Sequence, residues 1–308
     1  MKKFYDLGKN ILFPICRSLT GNGVRKTLKI IKKNFPILKI KKIKSSTKAF
    51  DWSIPSEWNI SDAYVLDKNG LKIIDFSVNN LHLVGYSEPI NKTFTKNELF
   101  KNIHYLQNQP EAIPYITAYY KKRWGFCISY NQFKKFQKKY SVKDNFKVVI
   151  QSSFKKNGYL NYGELVLPGK SKQEILISTY ICHPSMANNE LSGPMVSMGL
   201  IDYFKTKKLS KTLRFIFIPE TIGSIAYLSK NLDYLKNNVI GGYNLSCIGD
   251  DRQHSCMFSK YHNSPSDIAM IEAYKKLKIN NYKIYSFLKR GSDERQYNSP
   301  GIDLPITS

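Results

Sequence analysis

Residues Ile175–Gly193 read ILISTYICHPSMANNELSG. An apolar, β-branched run stops abruptly at Cys182, His183 and Pro184, a short polar loop follows, and Glu190–Phe204 has helical character. This is a buried strand, a loop carrying a histidine, and the start of a helix. In α/β sheets ligands and metals bind at the carboxyl ends of strands, where such loops meet at a cleft.

Three downstream segments repeat the pattern. TLRFIFIP (212–219), VIGGYNLSCIG (239–249) and YSFLK (285–289) read as strands, separated by helices expected at Thr221–Asn231 and Ser266–Leu277. Strand–helix alternation with doubly buried strands predicts an α/β fold, a mostly parallel mixed sheet flanked by helices. FKVVIQSSF and YLNYGELVLPG, just upstream, read as a hairpin.

Toward the N-terminus the character differs. Residues 1–48 form an N-terminal helical part, interrupted at Pro14, with Thr20 as the expected N-cap of a helix that puts Val24, Leu28 and Ile31 on one face. Lys39–Lys44 is a basic strand or linker. Residues 49–143 read as an inserted β-rich domain. There Asp67-Lys68-Asn69-Gly70 joins a hairpin, Thr95 and Glu98 have capping-box spacing, and His82 and His104 read as structural. The α/β core then occupies 144–308.

Composition narrows the function. The 308 residues carry a formal net charge of +25, but the lysines are scattered and no nucleic-acid motif is present, so no sequence-specific nucleic-acid partner is expected. No apolar run is long enough for a membrane span. The N-terminus lacks a cleavage site, so a cytoplasmic protein is expected. Five cysteines without CxxC spacing point to reduced, mostly buried thiols.

The expected strand ends deliver His183 with Asn188, Asn189 and Glu190, then Glu220, then Asp250 and Asp251, then Asp293 and Arg295. One histidine and several carboxylates converging on a cleft suit zinc, with a further carboxylate as general base toward water.

The chain resembles the M28-type zinc aminopeptidase fold. More closely, it resembles a bacterial family with an aminopeptidase-like domain (DUF4910 and DUF2172 type), often associated with polysaccharide biosynthesis. LFPICRSLTGNGVR, FDWSIPSEWNISDAYV, NNLHLVGYSEP, IPYITAYYKKRWGFC, STYICHPSMANNELSGP, IPETIGSIAYL, CIGDDR and GSDERQY carry that resemblance across nearly the whole chain. It implies His183 as a metal ligand, Glu220 as the general base, and Asp293 near the site. Asn189 stands where the M28 pattern has a metal-bridging aspartate, and Thr221 where it has a second glutamate. Glu190 or Asp250 is then expected to complete a site for one zinc ion. Asn189, Asp251, Asp293 and Arg295 are expected around it, Arg295 either pairing with Asp293 or holding a substrate carboxylate.

The family pattern continues with a histidine ligand after the Asp293 region. The chain stops at Ser308 without it, so a truncated member with weakly held zinc is expected. His254 and His262 are expected at the surface. Two functions compete: a zinc-dependent hydrolase cleaving a peptide or related amide, or an inactive binding or assembly protein linked to surface polysaccharide biosynthesis. The oligomeric state is left open.

Overall fold

The computed structural model describes residues 1–308. Two compact units emerge, one formed by Met1–Ile54 with Tyr159–Ser308, the other by Pro55–Gly158.

The first unit is built on a six-stranded mixed sheet. Its strands are β1 (Lys39–Lys44), β2 (Tyr159–Leu167), β3 (Ser171–Tyr180), β4 (Lys211–Ile218), β5 (Val239–Asn244) and β6 (Ile306–Thr307). The spatial order is β1-β2-β4-β3-β5-β6. β2 runs antiparallel to both β1 and β4, while β4, β3, β5 and β6 run parallel.

Side-chain alternation decides which face each helix covers. Leu165, Ile177, Phe215 and Phe217 point to one face. There they meet Val24, Leu28 and Ile31 of α1 (Asn22–Asn34) and Met195, Met198 and Ile201 of α2 (Ser192–Phe204). On the other face lies α3 (Ile222–Asn238), whose Tyr227 packs edge-on against Tyr162 at 5.6 Å. The Tyr227 hydroxyl donates to Glu164, and Glu164 with Glu174 brackets the buried Arg214 guanidinium. A fourth helix, α4 (Pro265–Lys276), starts at a Ser264/Asp267 capping box with Pro265 in its first turn.

This topology locates the cleft. From β3 the chain passes through α2 to β4 on one side, and from β4 it passes through α3 to β5, beyond β3 on the other side. The connections therefore leave β3 and β4 toward opposite faces. The connections leaving β3 and β5 diverge, which puts the topological switch point between those two strands, with the carboxyl end of β4 beside it.

The second unit holds a four-stranded antiparallel sheet, with Lys72–Asp75, Glu57–Leu66, Asn145–Lys155 and Ile90–Thr95 side by side. The Asp67–Gly70 turn forms as expected. Asp67 accepts from the Asn69 and Leu71 N–H groups, and Gly70 takes φ +77°. The Thr95–Glu98 capping box is present. His82 is buried with Nδ1 2.7 Å from the Cys127 carbonyl, a structural role.

Several boundaries differ from those expected. The inserted unit is Pro55–Gly158 rather than 49–143. The short hairpin of Lys48–Ala49 and Trp52–Ser53 packs on α3, and Asn145–Lys155 is an interior strand of the inserted sheet. For the same reason FKVVIQSSF and YLNYGELVLPG do not pair as a hairpin. They belong to two different sheets. YSFLK is not a strand of the main sheet: Tyr282–Tyr285 pairs only with His254–Met257, and Phe287–Lys289 is a 3-10 turn with Leu288 83% exposed. The helix expected at Thr221–Asn231 runs on to Asn238. The N-cap of α1 is Gly21 at φ +92°, not Thr20. No helix is long and apolar enough to cross a membrane.

Candidate active site

β3 ends at Tyr180, and the chain continues through buried Ile181 and Cys182 into His183. β4 ends at Ile218, two residues before Glu220. Being parallel neighbours, these strands bring their ends together, and His183 Nε2 lies 3.2 Å from Glu220 Oε2. The segment Asn188–Leu191 leads into α2, which lies close against β3 through Gly193. A Cβ there would overlap Thr179 Oγ1 and the Leu245 carbonyl, so only glycine permits the approach. That approach holds Glu190, three residues earlier, fully buried beside His183. One ligand atom from each of Cys182, His183 and Glu190 falls within a mutual 4.8 Å.

Arg17 closes the inner side. Its Nε donates to Glu190 Oε1 at 3.0 Å and its Nη1 to the Leu12 carbonyl at 2.6 Å, with both side chains of the ion pair at 0% exposure. On the outer side, the segment before Tyr297 supplies three groups. Ser292 Oγ donates to Glu220 Oε1 at 2.7 Å. Buried Asp293 Oδ1 accepts from the Thr221 N–H at 2.7 Å and from Ser224 Oγ at 2.8 Å. Arg295 Nη2 donates to Thr221 Oγ1 at 3.2 Å. Thr221 takes φ +61°, a region β-branched residues avoid, and these bonds hold it there directly behind Glu220.

The environment separates the carboxyls. Burial pushes Glu190 up to about 7 against the pull of His183 and Arg17. Burial and the neighbouring Glu220 charge push Asp293 up to about 7 as well. Glu220 behaves oppositely: burial would raise it, but bonds and charge from His183, with Ser292 and Arg295, hold it below the usual glutamate value. For His183, burial lowers the pKa, and Cys182, Glu220 and Glu190 together outweigh it, leaving it well above normal. Burial raises the Cys182 thiol to about 11. One carboxylate held well ionised beside two that titrate near neutral pH is an arrangement that can separate base and acid roles.

Three buried oxygens at this end of the sheet have no hydrogen-bond donor: Asn189 Oδ1, Glu190 Oε2 and Asp293 Oδ2. Of these, Glu190 Oε2 lies beside His183 and Cys182, and an acceptor lacking a donor there fits a single bound cation. Arg17 already pairs with Glu190 Oε1, which weakens that carboxylate as a ligand.

Asp250 is not brought into this cluster. Its carboxylate accepts from the Arg252 N–H and Nε, both at 2.9 Å, because a one-residue gap lets the two side chains pair locally on an exposed loop. Asp251 is exposed beside Arg252. His254 and His262 are exposed. Asn189 directs its amide toward Cys247 Sγ at 3.6 Å. Arg295 bonds to Thr221, not to Asp293. Arg17, Cys182 and Ser292 were not singled out in the sequence. Cys182 and Ser292 stand beside residues that were, whereas Arg17 meets Glu190 across 173 positions, with no local signal.

The DUF4910 model, a domain of unknown function, matches residues 5–308. A Clostridium acetobutylicum protein, named for polysaccharide biosynthesis and an aminopeptidase-like domain, is 45% identical over 297 residues. The match takes in 96% of this chain and 66% of that protein, so the chain spans just under two thirds of that relative. A solved structure described as a candidate peptidase from Clostridium acetobutylicum superposes with TM-score 0.93 at 44% identity, covering all of this chain and 70% of the other. A zinc aminopeptidase from Bacillus subtilis superposes with TM-score 0.68 at 13% identity, covering 99% and 83%. At that identity the likeness is one of fold, and it bears out the aminopeptidase-like fold expected from the sequence.

Proposed function

The chain belongs to the DUF4910 family, and we propose that it is a metal-dependent hydrolase of the aminopeptidase type, acting on a peptide or related amide. The observation that carries this reading is the 3.2 Å contact of His183 and Glu220 at the carboxyl ends of β3 and β4, beside a buried Glu190 oxygen without a donor. His183 would hold one zinc ion, with Glu190 as a further ligand. The chemistry such an ion supplies is polarisation of a carbonyl and of water. Glu220 would accept the proton of the attacking water at Oε2 and return it to the leaving amine, the positive charge of the bound ion replacing that of the His183 proton in keeping the carboxylate ionised. Ser292 fixes the glutamate rotamer through Oε1, and Asp293 fixes the Thr221 backbone behind it.

The Clostridium relative is named for polysaccharide biosynthesis, and an amide on a polysaccharide precursor is one form the substrate of this chain would take. A second reading, an inactive member that binds without cleaving, is favoured by the Arg17–Glu190 pair and by the neutral Asn189 and Thr221. Zinc content of chelator-free protein and of His183→Ala, with an amide panel run against Glu220→Gln, separates the two. About one zinc per chain, lost in His183→Ala, with turnover lost in Glu220→Gln by about a hundredfold or more, is the expected result. Metal-free protein without turnover would favour the binding reading.

A further inference from the structure

The segment that carries Ser292 and Asp293 into the site has a second side. Arg290 and Arg295, on the same segment, line a separate cavity of about 370 Å³ with Lys260, Ser286 and Phe287. No aspartate or glutamate lines it. Lys260 is balanced by Asp303 at 3.0 Å. Neither arginine has a carboxylate at ion-pair distance, although the charge of Arg295 reaches Glu220. Arg290 lies over the Phe287 ring at 4.9 Å and gives one donor to the Phe287 carbonyl at 3.3 Å. Arg295 spends one donor on Thr221 Oγ1. Each guanidinium has five N–H donors in a planar fork, so most donors of both remain for a ligand.

We propose that this cavity is an oxyanion subsite, taking a carboxylate or phosphate carried by the substrate. The assignment of the ligand as substrate rests on the hydrolase reading above. Two guanidiniums with no carboxylate in contact, on a concave wall that includes a hydroxyl, suit the bidentate geometry of carboxylate and phosphate oxygens. The shared segment supplies the link to the chemistry. Arg295 contacts Thr221, the residue after Glu220, so an anion held in the cavity sits one residue contact from the general base. The substrate class that follows is an acidic amide: one bearing a carboxylate or a phosphate a short distance from the bond cleaved.

Calorimetric titration of inorganic phosphate and of succinate into the intact chain tests this at fixed ionic strength. Arg290→Ala is at an exposed position, and Lys172→Ala, on the exposed amino end of β3, controls for the general positive charge. The expected result is saturable binding that Arg290→Ala weakens about tenfold, as the loss of a bidentate charged contact predicts, and that Lys172→Ala changes less than about twofold. The tighter of the two probes identifies the anion. No saturable binding, or equal weakening by both variants, overturns the subsite. Binding is read without turnover, so a chain that proves inactive yet binds phosphate through Arg290 would sink the hydrolase reading and leave the anion site standing.

Discussion

Arg17→Met removes the cation hydrogen-bonded to buried Glu190, leaving His183 as the other positive charge beside it, and keeps a side chain of similar volume. Both side chains are at 0% exposure, so the carboxylate left behind would be a buried charge that has lost its hydrogen-bonded counter-ion and keeps only the pull of His183. Breaking such a pair costs about 3–5 kcal/mol, and the lost bond to the Leu12 carbonyl adds to it. Glu190 already sits at about 7 with Arg17 in place, so without it the carboxyl keeps its proton to higher pH. The cost should therefore be larger at pH 8, where Glu190 must be ionised for the pair to matter, than at pH 5.5, where it is protonated in both proteins. Adding Glu190→Gln to Arg17→Met removes the stranded charge, and the double variant should recover about half of the loss or more. Urea unfolding of metal-free protein at both pH values, with m compared to confirm equal exposed surface, gives these differences directly. A single-variant cost below about 1 kcal/mol at pH 8 would refute the reasoning. So would a double variant no more stable than the single one.

Asp293, raised to about 7 from an unfolded value near 3.9, keeps a proton in the native state across a range where the unfolded chain has released it. Its contribution to stability is thus fully present below about pH 4 and declines as pH rises toward 7, by at most about 1.4 kcal/mol per pH unit. Asp293→Asn, which retains an oxygen for Thr221 and Ser224, should flatten that slope; urea midpoints between pH 5 and 8 that keep the wild-type slope would contradict it. Gly193→Ala places a methyl against Thr179 and the Leu245 carbonyl, and should cost about 1–3 kcal/mol and lower zinc affinity by shifting the Glu190 segment. Melting curves and zinc titration of that variant check both effects.

The strand–loop–helix at Ile175–Gly193 was legible because a doubly buried parallel strand, a polar break and a glycine-containing helix start each leave a local trace. His183, Glu220 and Asp293 stood at the strand ends or loops that topology then joined. Asp250 was misplaced because residue type and position after a strand say nothing about which way a loop turns. Its local pairing with Arg252 takes it out of the cluster. Arg17 was invisible for the complementary reason: an ion pair spanning 173 positions has no signature in either flank. The expected hairpin of FKVVIQSSF and YLNYGELVLPG failed because adjacency and periodicity cannot reveal that the chain changes sheets near Gly158.

The inserted unit also bears on the order in which the chain can fold. β1 and β2 are paired through Lys44 and Tyr159, roughly 115 residues apart, a costly loop to close from an extended chain. Within the insertion, however, Glu57 pairs with Lys155, which brings the two ends of the inserted segment side by side. Once that sheet has formed, the search joining β1 to β2 spans only the few residues flanking it. The insertion is thus a kinetic shortcut as well as an added module, converting the longest-range pairing of the main sheet into a nearly local one.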